Sequence, residues 1–434
     1  MSRTLCWPSE RMNRRLVQIS VLALPQATGT IVAKQCRLCS SRPLTRFLSL
    51  GNQYVSDFVT ASGEHPRAPL ELVHCPHCGL AQLKHTFPRA SLYTHYWYRS
   101  GISGTMRLAL ADVAAKASRV AKPAAGDVVV DIGCNDGTLL RSYNKSGLRL
   151  VGFEPAENLV PDASKGTYWI FNDFFSGDTF RKKFDGERAK IITCVAMFYD
   201  LEAPNDFVND IADCLAPDGV WIVQQNYLGA MLEKNGFDNI GHEHLEYYSL
   251  STMGRLLDRH DLEIFDVETN DVNGGSFRTY AGHRGKFKVR DTVNALRQTE
   301  KRMKLNSSKV YHNFAARIQK IKTDLNKLVK DEVKRGKTVY VYGASNRGNT
   351  ILQYCGLDHR VIKKATDANP DKWGRATVGT RIPIVSKEEA RRDNPDYFLI
   401  LPHHFLDEIK REEKDYLKNG GKFIVPLPEV RIVS

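Results

Sequence analysis

Apolar residues recur along this chain with two different periods. The run Asp127-Val-Val-Val-Asp-Ile132 is β-branched and almost continuously apolar, the signature of a strand buried on both faces of a parallel sheet. Leu150-Val-Gly-Phe153, Ile191-Ile-Thr-Cys194 and Val220-Trp-Ile-Val-Gln224 repeat the pattern, the last after a turn at Leu215-Ala-Pro-Asp-Gly219. From Lys301 to Val333 the spacing changes. Val310, Phe314, Ile318, Ile321, Leu325, Leu328 and Val333 fall at helical intervals with basic residues between them, which predicts one amphipathic helix with a wet basic face. Beyond it, Lys337-Thr-Val-Tyr-Val-Tyr342 opens a second strand-turn-helix unit, to which Ala365-Thr-Asp367 and Phe398-Leu-Ile-Leu401 add strands. The pattern predicts an α/β protein.

Composition adds bounds. The 434 residues suggest two to four domains, and 42% apolar with 26% charged residues is ordinary for a soluble globular chain. Whole-chain disorder, a collagen-like fold and a small disulfide scaffold are excluded. No apolar run approaches the roughly 20 residues of a membrane-spanning helix. The net charge of +13 is spread along the chain, with a local maximum between Lys286 and Lys337. That distribution fits a solvated basic surface better than a nucleic-acid stripe. Met1 to Lys34 differs from the rest: Arg11, Arg14 and Arg15 precede only a short apolar stretch, Val21 to Leu24. This is too short for a secretory signal and predicts a disordered extension. Nine cysteines, four of them in two Cys-x-x-Cys pairs, fit a reducing, cytoplasmic setting.

Those pairs are Cys36-Arg-Leu-Cys39 and Cys75-Pro-His-Cys78, each followed by a small residue, Ser40 or Gly79. Two thiolate hooks complete a closed tetrahedral zinc site, which is structural rather than catalytic.

The strongest chemical signal is Asp131-Ile-Gly133-Cys134-Asn135-Asp136-Gly137. It ends the first buried strand in a glycine-bracketed turn and predicts a helix opening at Thr138. A second strand follows and ends in Glu154-Pro155. Strand, glycine turn, helix and an acidic strand end about 20 residues on form the geometry in which a carboxylate receives ribose hydroxyls. The spacing is not G-x-G-x-x-G; it resembles motif I of class I S-adenosylmethionine-dependent methyltransferases. Glu154 then resembles their second motif, and Asn172-Asp173-Phe174-Phe175 their adenine loop.

With the zinc hooks before this core and a second glycine-turn unit after it, the chain from about Cys36 onward resembles the three-domain nucleotide-sugar C-methyltransferases. These methylate carbon 3 of dTDP-4-keto-deoxysugars. The resemblance rests on the four cysteines, Tyr96-Trp-Tyr-Arg-Ser100, Gly133 to Gly137, Gly152-Phe-Glu-Pro155, Tyr227-Leu-Gly229, Phe237-Asp-Asn-Ile-Gly-His-Glu-His244, Asn273-Gly-Gly275, Tyr342-Gly-Ala344 and Pro426-Leu-Pro-Glu429. It implies a class I Rossmann-like core with an N-terminal zinc-binding domain and a C-terminal Rossmann-like domain. The expected boundaries are 35–90, 91–285, a helical connector 286–335, and 336–434.

The resemblance also implies roles. His244 matches the general base, Glu243 the acid beside it, and Tyr96 a phenol near the enolate oxygen. Asp131, Gly133, Cys134, Asn135, Gly137, Glu154, Asn172 and Asp173 match the methyl-donor site. His242, Tyr227, Asn273, Gly274, Ser345 and Arg347 match substrate contacts, with Ser345 and Arg347 offered to an anion. Three departures surround the expected sugar pocket: Gly241 replaces a tyrosine, Ala196-Met-Phe-Tyr-Asp200 lacks the family's Asn and His, and Gln224-Gln-Asn226 replaces an acidic-Pro pair. Methylation of oxygen or nitrogen on a sugar or small metabolite stays open, as do a zinc-knuckle RNA methyltransferase and a non-catalytic scaffold. The expected partner is a small nucleotide sugar, with no membrane and a nucleic acid disfavoured; the oligomeric state is left open, a monomer being favoured.

Overall fold

In the computed structural model, which describes residues 29–60 and 65–434, the β-branched runs assemble into one seven-stranded sheet. Its strands are β1 (Val128–Ile132), β2 (Arg149–Phe153), β3 (Trp169–Phe171), β4 (Ala189–Val195), β5 (Leu215–Asn226), β6 (Leu262–Asn270) and β7 (Ser276–His283). Their order is 3-2-1-4-5-7-6. The first five run parallel, and β7 is antiparallel to both its neighbours. This is the class I methyltransferase arrangement. Alternate residues of β1 serve opposite faces: Val129 packs with Leu110, Val113 and Ala117 of helix Gly104–Ala121, while Val128, Val130 and Ile132 join Phe207, Val208 and Ile211. Burial on both faces explains the unbroken apolar run.

Two helix expectations need correction. Thr138 opens no α-helix; a single 3-10 turn, Leu140–Ser142, follows. Asp136 Oδ1 accepts bonds from both the backbone N–H and the hydroxyl of Thr138, an Asx-type turn that competes with helix. Gly147 (φ 82°) then turns the chain back into β2. The helix expected from Lys301 to Val333 is two helices, Asp291–Met303 and Ser308–Lys334, separated where Lys304 adopts φ 55°. The second carries the apolar face, with Phe314, Ile318, Ile321 and Leu325 fully buried.

The chain crosses the boundaries expected from its sequence. A four-stranded sheet built from Thr45–Tyr54, Arg67–His74 and Ala81–Leu83 takes its fourth strand, Glu246–Tyr247, from the middle of the core segment. Likewise Ala376–Thr377 pairs with Phe58–Val59. Ile31–Val32, inside the extension expected to be disordered, pairs with His85–Thr86; residues 1–28 of that extension lie outside the described residues. The C-terminal sheet runs Ile384–Val385, Ala365–Thr366, Val339–Tyr342, Tyr397–Ile400, Lys422–Val425 and Arg431–Val433, parallel except for its last strand. One apolar cluster joins the N-terminal sheet, the long helix and this C-terminal sheet. Among the described residues, no helix is long and apolar enough to cross a membrane.

Candidate active site

The four hook cysteines converge. Their sulfurs all lie within 4.8 Å of one another, with Cys36 and Cys78 at 3.5 Å and Cys39 and Cys75 at 3.6 Å. Tetrahedral zinc with Zn–S bonds of about 2.3 Å needs sulfurs roughly 3.8 Å apart, so the donor set fits. Each hook closes identically: Ser40 N–H donates to the Cys36 carbonyl and Gly79 N–H to that of Cys75, both at 2.9 Å. Ser40 (φ 58°) and Gly79 (φ 85°) supply the left-handed turn. The site is a structural zinc site. It also supports the core: Arg37, between two ligands, binds Gln82 and lies 3.8 Å from the buried Glu246. Cys75→Ser is therefore expected to weaken zinc retention by more than 10–100-fold, the order of a lost supporting bond. Metal analysis after dialysis against a chelator checks this. The melting temperature and the turnover should fall together, because strand Glu246–Tyr247 begins two residues after His244.

A cavity of about 380 Å³ opens where the carboxyl ends of β1, β2 and β4 meet the Tyr96–Ser100 segment and the C-terminal domain. Gly133 (φ 69°) lines it, and a Cβ there would stand 3.2 Å from Met197. A side chain there would crowd Met197 and strain the left-handed turn. Asn135 N–H donates to Glu154 Oε2 at 2.7 Å, and Ala156 N–H to Oε1 at 2.9 Å. Each Glu154 oxygen keeps lone pairs for ribose hydroxyls. Burial raises its carboxyl, with those two backbone bonds opposing. Asp131 accepts the Thr193 hydroxyl at 2.7 Å; burial pushes its carboxyl up to about 7, the Thr193 bond opposes, and the Glu154 charge adds. Cys134 packs its sulfur against Gly152, where a Cβ would come within 2.5 Å. Asp173 lines the wall beside Phe174. These residues give one wall of the cavity a bare glycine turn and a carboxylate with lone pairs to spare.

Tyr96 reaches the same cavity because Asn135 ties its segment to the glycine turn. Asn135 Oδ1 accepts from Ser100 N–H at 2.9 Å and its Nδ2 donates to the Tyr98 carbonyl at 3.0 Å. Burial, then the charges of Glu243 and Asp200, pushes the Tyr96 phenol well above its ordinary value, so it remains a donor.

His244 and Glu243 line the same cavity. The triplet 242–244 is held between the 3-10 turn Phe237–Asn239 and strand Glu246–Tyr247, with Leu245 N–H donating to the Tyr199 carbonyl at 2.8 Å. His244 Nδ1 lies 2.6 Å from the Asn239 carbonyl, an acceptor, so Nδ1 carries the proton and Nε2 keeps its lone pair. Burial lowers the imidazole pKa, with Glu243 opposing. The neutral ring abuts Tyr199, centroids 4.4 Å apart. A Cβ on Gly241 would meet Glu243 Oε2 at 2.9 Å, so the carboxylate occupies the space a larger residue would need.

Five expected site residues lie outside the cavity wall. His242 is buried with Nε2 3.0 Å from the Ala68 carbonyl and docks the loop on the N-terminal sheet. Tyr227 is buried against Phe277. Asn172 donates to the Glu154 carbonyl at 2.9 Å and shapes the loop. Gly137 (φ 77°) and Gly274 (φ 88°) serve their turns. Asn273, Ser345 and Arg347 do line the cavity, and the last two also serve contacts within the fold. Ser345 Oγ caps its helix by accepting from Gly348 N–H at 3.0 Å. Arg347 donates through Nε to Asp238 at 2.8 Å and through Nη1 to the Asn273 carbonyl at 2.7 Å. It is thus paired with Asp238 while still lining the cavity.

Sequence reading missed Asp200, Tyr93, Asn239 and Lys372, all on the wall. Asn239 and Asp238 sit in the quoted Phe237–His244 stretch, but nothing in their spacing shows which faces inward. Lys372 is paired with Asp367 at 2.9 Å and donates to the Ala344 carbonyl at 2.8 Å.

Three family models match the chain in order: a zinc binding domain over residues 36–93, a methyltransferase domain over 103–267, and a C-methyltransferase C-terminal domain over 271–428. The chain is 33% identical over 412 residues to the C-methyltransferase NovU of Streptomyces niveus, covering 92% of this chain and 97% of that protein. Among solved structures, an S-adenosylmethionine-dependent methyltransferase from Clostridium acetobutylicum is 12% identical, covering 41% of this chain and 91% of its own, with a TM-score of 0.33. Magnesium protoporphyrin IX methyltransferase from Synechocystis is 13% identical, covering 41% and 79%, with a TM-score of 0.32.

Proposed function

The chain belongs to the C-methyltransferase family that joins a zinc-binding domain, a methyltransferase core and a C-methyltransferase C-terminal domain, and from that premise we propose that it methylates a carbon alpha to the ketone of a nucleotide-linked, dTDP-type keto-deoxysugar. It is an S-adenosylmethionine-dependent methyltransferase. One observation carries the reading: His244, with Nδ1 held by Asn239 and Nε2 free, lines the same cavity as the Gly133–Asn135 turn. A carbon nucleophile needs a base, and no other histidine of the Gly-His-Glu-His stretch reaches that cavity.

S-adenosylmethionine supplies an electrophilic methyl on a positive sulfur. The chain does the rest. Gly133, Asn135 and Glu154 orient the donor; His244 Nε2 removes the proton alpha to the ketone. Tyr96 donates to the oxygen on which charge develops, and such donors act strongly in a dry site. Glu243 steadies the imidazolium that forms. Asn273 and the C-terminal residues behind it close the sugar side of the cavity.

The test is incubation of a panel of nucleotide-linked 4-keto-sugars with the enzyme in deuterated buffer. A substrate should exchange its alpha proton before methyl transfer. Methylation with no exchange at carbon would favour oxygen or nitrogen as the acceptor.

Burial gives this base a pH signature. Its lowered pKa keeps His244 neutral through the ordinary imidazole range, and activity is lost only as pH falls through the lowered value. The acid limb of kcat/KM should therefore lie below about 6.5. A limb at or above that value contradicts the assignment.

A further inference from the structure

Just past β4 the chain turns through Ala196 (φ 54°) into the 3-10 turn Phe198–Asp200. Phe198 and Tyr199 are buried beneath it and fix the direction of the next residue. Asp200 thereby enters the cavity wall that Tyr93, Tyr96, Glu243 and His244 share. As a residue it is half-buried, but its Oδ1 has no solvent contact and no hydrogen-bond partner, and the neighbouring Tyr93 hydroxyl is in the same state. A buried carboxyl oxygen without a partner is costly and works against the ionised form, while Oδ2, which also has no hydrogen-bond partner but is not sealed from solvent, is the oxygen that can meet a ligand in the cavity.

From this placement we infer that Asp200 is a second catalytic acid, which hands its carboxylic proton to the ketone oxygen of the substrate as His244 removes the carbon-bound proton. The inference rests on the carbon-methylation reading above and names a group that reading does not use.

The surroundings keep the acid protonated. Burial raises its carboxyl well above the usual range, the nearby Tyr93 hydroxyl works against this, and the charges of Glu243 and Glu246 add to it. Tyr96, Tyr199 and Tyr247 also face it, and burial raises each of these phenols, which leaves them neutral. Of the cations on the same wall, Arg347 is paired with Asp238 and Lys372 with Asp367, and Arg89 lies over the Phe174 ring. A carboxylic acid kept neutral by a dry site is a stronger donor than a phenol toward an oxygen gaining charge.

The step balances. His244 Nε2 takes the alpha proton, the C–H electron pair moves toward the oxygen, and Asp200 protonates that oxygen to give an enol. The enol carbon then forms the new C–C bond as the methyl–sulfur bond breaks and leaves a thioether. The enol proton returns to Asp200, and the proton on His244 leaves to solvent. One proton is released per methyl transferred.

The test compares wild type with Asp200→Ala, Asp200→Asn and Asp200→Glu, using a keto-sugar nucleotide that wild type methylates. Alanine should slow methylation and solvent exchange together by on the order of 10²–10³-fold, with the dissociation constant for S-adenosylmethionine within about twofold. Asparagine, whose amide still donates a hydrogen bond but no proton, should fall between alanine and wild type, and glutamate should recover part of the rate. Infrared difference spectra of wild type at neutral pH should show a carboxylic acid C=O band that the asparagine variant lacks. The proposal is overturned if that band is absent, if alanine exchanges the proton as fast as wild type, or if glutamate restores nothing. Failure of wild type to exchange or methylate any keto-sugar overturns the carbon-methylation reading instead, and the infrared band still reports whether Asp200 holds its proton.

Discussion

His244→Asn is expected to cut methyl transfer by on the order of 10²–10⁴-fold while S-adenosylmethionine binds as before, because general base catalysis typically contributes that much. Asparagine can still donate to the Asn239 carbonyl that His244 Nδ1 meets at 2.6 Å, so the loop keeps its anchor. What it lacks is a basic lone pair. Single-turnover rates measure the loss, and calorimetry with S-adenosylmethionine shows that the glycine-turn cradle is intact. Exchange of the substrate's alpha proton should stop in parallel. A variant that exchanges at the wild-type rate would move the base elsewhere in the cavity.

Arg347→Ala is expected to destabilise the protein by about 3 kcal/mol, the order of effect when one partner of a buried ion pair is removed. Asp238 is 1% exposed, and Arg347 Nη2 lies 2.7 Å from its Oδ2. Burial alone would raise the Asp238 carboxyl, but the charges of Arg347 and then His403 outweigh it and hold the group well below the usual carboxylate range. A depressed folded pKa stabilises above the unfolded value and is lost as pH falls through the folded one. The wild type should therefore lose this contribution only in strong acid, whereas the variant should be weak at neutral pH already. Urea melts at pH 7 and at pH 4 check both statements. The same pair connects the C-terminal domain to the turn carrying Asn239. The variant's turnover should fall along with its stability, since that turn holds the His244 ring.

Much of this was legible in the sequence, for definite physical reasons. A strand buried on both faces cannot alternate polar and apolar residues, so β1, β4 and β5 stood out, and two Cys-x-x-Cys hooks have few uses other than zinc. The motif turn was legible because Gly133 must take a positive φ and present bare backbone. What escaped was long-range. Nothing in Glu246–Tyr247 announces that it completes the N-terminal sheet, since its pairing partners, Gln82 and Ala81, are far away in sequence and leave no local period. His242 and His244 are alike in sequence, and only the fold sends one to the Ala68 carbonyl and the other to the cavity. Arg347 shows no partner in the sequence because Asp238 lies 109 residues away. The short turn after Gly137 was misread as a helix because the Asx bond from Asp136 competes with helix locally. Gly241 reads in the sequence as a lost tyrosine; in the fold the Glu243 carboxylate stands 2.9 Å from where a Cβ at 241 would be.

The acceptor atom on which the methyl group ends separates carbon methylation from its alternatives most directly. NMR of the product formed with carbon-13-methyl S-adenosylmethionine and a nucleotide-linked 4-keto-sugar reads this in one spectrum. The predicted result is a labelled methyl bonded to the ring carbon beside the ketone, absent when His244 is asparagine. A labelled methyl on a hydroxyl oxygen or a nitrogen would contradict the account.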